Sequence, residues 1–131
     1  MNKVTEFINA AHVFYLGTVD NGKPEVRPIG VFKEYDGKFY TAVGEHKNVY
    51  AQMIAEPRVV LCALGDKGNW IRMRAVVVKA GEDIVERVFA DAPFLHTLYN
   101  SENGRKLGVF ELTQCEVEWC GMGGPEKTEK L

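Results

Sequence analysis

Arg27, Thr41 and Lys47 have the types and the spacing to hold an anion. Arg27 opens the stretch Arg27-Pro28-Ile29-Gly30, Thr41 lies in Phe39-Tyr40-Thr41-Ala42, and Lys47-Asn48 stands at the predicted start of a helix. Free backbone N–H groups and the positive end of the helix dipole favour an anion there. A cation in the first turn is unfavourable until an anion arrives, so the placement of Lys47 is informative. Arginine supplies a planar fork and threonine a hydroxyl donor, and the three could converge on one phosphate. His46 lies beside them and is the only nearby group with an ordinary pKa close to neutrality, which makes it the candidate proton donor. No other catalytic residue is assigned. The residue types alone leave a plainer reading open, with Arg27 a solvated edge-strand residue and Lys47 an ordinary surface lysine.

Other chemistries find little support. The chain has one serine, Ser101, in the loop Tyr-Asn-Ser-Glu-Asn-Gly, and no Walker A loop, HExxH pair or CxxC pair. Cys115 and Cys120 are five apart with no histidine nearby, and strand alternation would set them on opposite faces, so no metal site is expected. Gly121-Met-Gly-Gly runs into Pro125 and reads as a loop. Trp70, Arg72 and Arg74 could form a basic stacking face for single-stranded nucleic acid. Sixteen basic residues against eighteen acidic ones, a net charge of −2, argue against that partner. His12 and His96 read as ordinary core or surface residues.

The elements that would position these groups are mostly strands. The 131 residues, 46% hydrophobic and 26% charged, fit one globular domain over 1–131, with the tail 122–131 frayed. No apolar run approaches the ~20 residues of a membrane span. The N-terminus reads as folded rather than as a signal peptide, and three free thiols (Cys62, Cys115, Cys120) suit a reducing cytoplasm. Val4, Phe7, Ile8 and Ala11 predict a helix over 2–11 capped by Asn2. Asn21-Gly22 and Asp36-Gly37 predict two tight hairpins. Pro24 and Pro28 place the strand between them at an edge, or interrupt it with bulges. A helix over 46–56 ends at Pro57, and 58–64 reads as a strand buried on both faces. A long strand from Trp70, helical segments over 82–99, and two strands, Leu107–Thr113 and Cys115–Gly121, complete the chain. Seven short antiparallel segments predict a mainly β fold that closes into a small barrel of six to seven strands with helical decorations.

The order of these pieces resembles the FMN-binding split-barrel family of pyridoxamine 5′-phosphate oxidase, and in particular its short nitroimidazole-resistance and general-stress flavoproteins. The resemblance covers roughly residues 5 to 120. It rests on FYLGTVDNGKPEVRPIGVF, GKFYTAVGEHKNVYAQMIAEPRVVLCA and WIRMRAVV. It implies that Arg27, Pro28, Ile29, Gly30, Val31 and Phe32 line the flavin ring and ribityl chain, with Arg27 reaching toward the phosphate. Tyr40 and Thr41 would touch the flavin, His46 and Lys47 would hold the phosphate, and Asn48 would also bind the cofactor. His46 replaces a frequent arginine, and Trp70 or Ile71 falls where the vitamin oxidase has a glutamine. The early end of the chain omits the family's C-terminal substrate-gripping arginine, so vitamin B6 oxidase activity is not expected. The resemblance further implies a homodimer with the flavin in the intersubunit cleft. A wall of Ile29 and Val31, with Trp70 or Trp119 from the partner, suits a flat, weakly polar acceptor. The expected function is reduction of small electron-poor molecules with electrons from NAD(P)H. The alternative is a protein of the same fold that binds flavin, a deazaflavin or haem for storage or sensing.

Overall fold

The computed structural model describes all residues from Met1 to Leu131. Helix α1 (Lys3–Ala11) leads into strands β1 (Phe14–Asp20), β2 (Lys23–Ile29), β3 (Phe32–Tyr35) and β4 (Lys38–Gly44). Helix α2 (Asn48–Ala55) crosses to β5 (Arg58–Leu64) and β6 (Trp70–Lys79). Helices α3 (Glu82–Asp91) and α4 (Leu95–Leu98) precede β7 (Leu107–Gly121) and β8 (Gly124–Lys130). The sheet is antiparallel and runs β2-β1-β5-β6-β7-β4-β3, with β8 added beside β7. It curls around the main apolar core, and its path begins and ends on the consecutive strands β2 and β3. This is the mainly β barrel that the strand pattern predicts, split as the resemblance implies, with eight strands in place of the expected six to seven. No helix is long and apolar enough to cross a membrane.

Local chemistry accounts for the corners. Asn21 and Gly22 adopt φ of 50° and 82°, Asp36 and Gly37 of 53° and 78°, as two-residue hairpins require. The Asn2 side chain accepts from the Val4 N–H at 2.9 Å and caps α1. Glu34 on β3 fixes the helix to the sheet by accepting from Thr5 Oγ1 at 2.6 Å and from the Asn2 N–H at 3.0 Å. Val4 and Ile8 thereby close the main core, which holds Phe14, Leu16, Leu61, Ile71, Met73 and Phe110. A second, smaller core lies under α3 and α4 around Tyr40, Val88 and Val109.

Three expectations need correction. The tail is not frayed, because Gly124–Lys130 pairs with Glu116–Gly121 and Trp119 Nε1 donates to Glu129 at 2.8 Å. The polar composition of the tail concealed an edge strand exposed to water. The last two predicted strands are one, β7, broken in phase by a bulge in which Gln114 takes a φ of 52°. Phe110 and Leu112 face the core before the bulge, and Cys115 and Val117 face it after. Strand β5 is buried on one face only. Val59, Leu61 and Ala63 are buried, while Val60 and Cys62 look onto an open groove.

Burial has a pH consequence. It pushes the Cys115 thiol up from 9.0 to about 11 and raises the phenols of Tyr35, Tyr40 and Tyr99. These groups are neutral in the fold and ionise sooner once unfolded. Their stabilisation is complete below the unfolded pKa and falls as pH rises through the folded one, by about 1.4 kcal/mol per pH unit for Cys115 alone. Urea unfolding should therefore show a lower midpoint at about pH 10.5 than at about pH 8. Equal midpoints would mean that the buried groups ionise in place.

Candidate functional site

Strand alternation fixes where each candidate points. Arg27 pairs with Leu16, a core residue, so its side chain lies on the inner face of the edge strand β2. It runs half-buried toward α2. Arg27 Nη1 donates to the Leu16 carbonyl at 3.1 Å and to Thr18 Oγ1 at 2.7 Å, and Nη2 donates to Gln52 Oε1 at 2.6 Å. None of these acceptors is charged. Desolvation lowers the Arg27 pKa, and Glu25 acts through space in the opposite direction. Gln52 lies one helical turn, about 6 Å of rise, from Asn48 at the start of α2. The guanidinium is thus tied to α2 at Gln52, the fifth of its eight residues.

Lys47 is the N-cap of α2 and Asn48 its first residue, so the helix begins two residues later than its predicted start. The Lys47 N–H donates to the Gly44 carbonyl, and its exposed ammonium has no hydrogen-bond or ion-pair partner in the chain. Asn48 borders a polar groove of about 620 Å³ between α2 and the first hairpin, with Gln52, Asp20 and Asn21. His46 is exposed, 6.2 Å from the Tyr99 ring. Pro28 and Gly30 are exposed on β2 and just beyond it, and Ile29 is half-buried against the main core. A Cβ on Gly30 would find only the His12 carbonyl, 4.0 Å away, so a flat ligand could approach this backbone closely.

Several expected contacts are engaged elsewhere. Phe32 is a core residue with its ring 6.0 Å from Phe14 and 5.8 Å from Phe39, so it does not line an open site. Tyr40 packs 5.6 Å from Tyr35 in the second core, on the opposite side of β4 from Thr41. Only backbone at position 40 is left for a ligand on the Thr41 side. Thr41 is fully buried and its hydroxyl donates to the Val31 carbonyl at 2.9 Å, which fixes the β2–β3 corner instead of pointing outward. Val31 packs on the second core. Trp119 lies edge-on to Phe7 at 6.0 Å and bonds Glu129, so it is not a free wall.

Trp70 is on another part of the sheet. Strands β1 and β5 separate β2 from β6, an offset of about 14 Å at the usual strand spacing. Within one chain Trp70 therefore does not meet Arg27. It borders an apolar groove of about 860 Å³ on the outer face of β1, β2, β5 and β6, with Tyr15, Gly17, Val26, Val60 and Cys62. Gly17 keeps this floor low, since a Cβ there would stand 2.9 Å from Val60 Cγ1. Arg72 bonds Glu118 at 3.1 and 3.2 Å and stacks over Trp70 at 5.2 Å, while Arg74 also bonds Glu118. The two guanidinium groups hold the Glu118 carboxyl down at about 2. Both arginines of the basic-face reading are thus paired with the same carboxylate.

Sequence reasoning missed Thr18 and Gln52. The available signal was Gln52 itself, a polar residue between Val49 and Met53 on the side of α2 that faces the sheet.

Residues 1–120 match the family Pyridoxamine 5′-phosphate oxidase. No curated protein matches the chain. Among solved structures, a NimC/NimA family protein from Clostridium acetobutylicum is 31% identical, with a TM-score of 0.87 over 98% of this chain and 91% of that one. General Stress Protein 26 from Bacillus anthracis is 14% identical, with a TM-score of 0.74 over 98% and 96% of the two chains. A pyridoxamine 5′-phosphate oxidase-related, FMN binding protein from Nostoc punctiforme is 12% identical, with a TM-score of 0.61 over 96% and 91%. The last two likenesses concern the fold.

Proposed function

The chain belongs to the pyridoxamine 5′-phosphate oxidase family, and from that premise we propose that it binds FMN between two copies of itself and reduces small electron-poor molecules. One observation carries the reading: Arg27, bonded only to neutral acceptors, donates to Gln52, one turn along α2 from Asn48, and the ammonium of the N-cap residue Lys47 is unpaired. Two cations with no carboxylate partner match a dianion, and the helix N-terminus adds to the same field. The residues present therefore fit a flavin phosphate. Arg27, Lys47 and Asn48 would bind it, and the open backbone at Gly30 would accept the flat end of the ligand. The distance between Arg27 and Trp70 supports a shared site, since a partner's groove can bring Trp70 to the flavin where the same chain cannot.

The bound cofactor supplies reversible two-electron redox chemistry, and the chain supplies binding, orientation and exclusion of water. No acid–base pair or activated thiol lies near Arg27, so protons would come from solvent or from His46. Adding NADH or NADPH to the FMN-loaded protein without oxygen should bleach the oxidised-flavin absorbance, and a quinone or nitroaromatic should restore it. Bleaching by dithionite alone would sink the nicotinamide-reductase reading and favour storage or sensing.

A further inference from the structure

A guanidinium carries five N–H donors in one rigid plane. In Arg27 the chain uses three of them, both on Nη1 and one on Nη2. Thr18 Oγ1 and Gln52 Oε1 are bonded to each other at 2.6 Å and receive Nη1 and Nη2 respectively. That pair of acceptors fits the two parallel hydrogens at the tip of the guanidinium. The donors left over are Nε–H and the second Nη2–H, which form the side edge, a parallel pair suited to two phosphate oxygens.

Gln52 and Thr18 are only 9% and 3% exposed. Burying such polar groups is costly unless they are bonded, and all their side-chain hydrogen bonds lie within this trio. We propose that Gln52, backed by Thr18, is a positioning residue that clamps the tip of Arg27 and presents its free side edge to a phosphate at the start of α2. This inference rests on the FMN reading above and adds the device that aims the arginine. Rotation of Arg27 about its long side chain would otherwise spread its donors over many directions, and the phosphate would have to fix them on binding.

The experiment measures FMN and riboflavin affinity by fluorescence quenching in wild type, Gln52→Met, Arg27→Ala and the double variant. Methionine keeps the length of glutamine and removes the acceptor. Gln52→Met should weaken FMN about tenfold, leave riboflavin unchanged, and add nothing once Arg27 is alanine. If FMN affinity survives Gln52→Met but falls in Arg27→Ala, the clamp is wrong and the flavin site stands. Equal loss of both flavins, or additive losses in the double variant, would make Gln52 merely structural and overturn the inference. A wild type that binds neither flavin overturns this inference and the FMN reading together. Thr18→Val, which removes the other arm, should give the same FMN-only loss at about threefold and provides the test if Gln52→Met does not fold.

Discussion

Arg27→Ala and Lys47→Ala should each weaken FMN ten- to a hundredfold and together about a thousandfold, while riboflavin binding stays unchanged. Each substitution removes a charge-assisted contact worth about 1.5–3 kcal/mol. The two side chains lie on different elements and share no hydrogen bond within the chain. They would meet on one phosphate, however, so the double variant should lose somewhat less than the sum of the two. Riboflavin lacks the phosphate and cannot report on either cation. Lys47 is exposed, so its removal should not disturb the fold. Arg27→Ala leaves Thr18 and Gln52 bonded to each other, which limits its structural cost. The Lys47 loss should shrink with salt, because exposed charges are screened within about 8–10 Å at ordinary ionic strength, and the loss at half-buried Arg27 should shrink less. FMN affinity that ignores both substitutions would move the phosphate elsewhere in the protein.

The tight turns and the start of α1 were legible in the sequence because single residues determine them. Asn-Gly and Asp-Gly accept the positive φ that the hairpins need, and Asn2 is a strong cap. The long final strand was harder to read. Alternation reverses at Gln114, and a reversal of phase looks the same as a break between two strands. The tail failed for another reason. Gly124–Lys130 has almost no apolar residue, and what makes it a strand is the open edge of β7, which no local pattern reveals. Adding β8 covers that edge and leaves a polar surface outside.

The site was legible in part. Arg27 and Lys47 declared themselves by type and position, but the direction of neighbouring side chains depended on which face of each strand met the core. Tyr40 and Thr41 are adjacent in sequence and belong to opposite faces of β4, one under α3 and the other at the β2–β3 corner. Phe32 looked like part of a ligand wall and instead joins Phe14 and Phe39 inside the barrel. Gln52 was overlooked because a single polar residue on an apolar helix side has meaning only once its partner across the sheet is known.

Val26→Asp should convert the protein to a monomer and lower its affinity for FMN and riboflavin alike, by at least a hundredfold. Val26 is 68% exposed on the outer face of β2, so an aspartate there is tolerated by the isolated chain. Its side chain faces away from Arg27, by strand alternation, and the phosphate contacts remain. In a two-fold dimer the same substitution enters the interface twice and buries two carboxylates without partners. Each unpaired buried charge costs several kcal/mol, more than an interface of ordinary size can absorb. The groove around Tyr15, Gly17, Val26, Val60 and Cys62 is an open apolar depression of about 860 Å³, and it includes Trp70. If a second copy covers it, the flavin ring loses one wall whenever the copies part. Sedimentation velocity and flavin titration on the same sample decide the matter. A monomer that still binds FMN tightly would refute the shared site. A dimer that survives Val26→Asp would place the interface on another face. The contrast with Arg27 and Lys47 is diagnostic, since cations at the phosphate separate FMN from riboflavin and loss of a ring wall treats the two flavins alike.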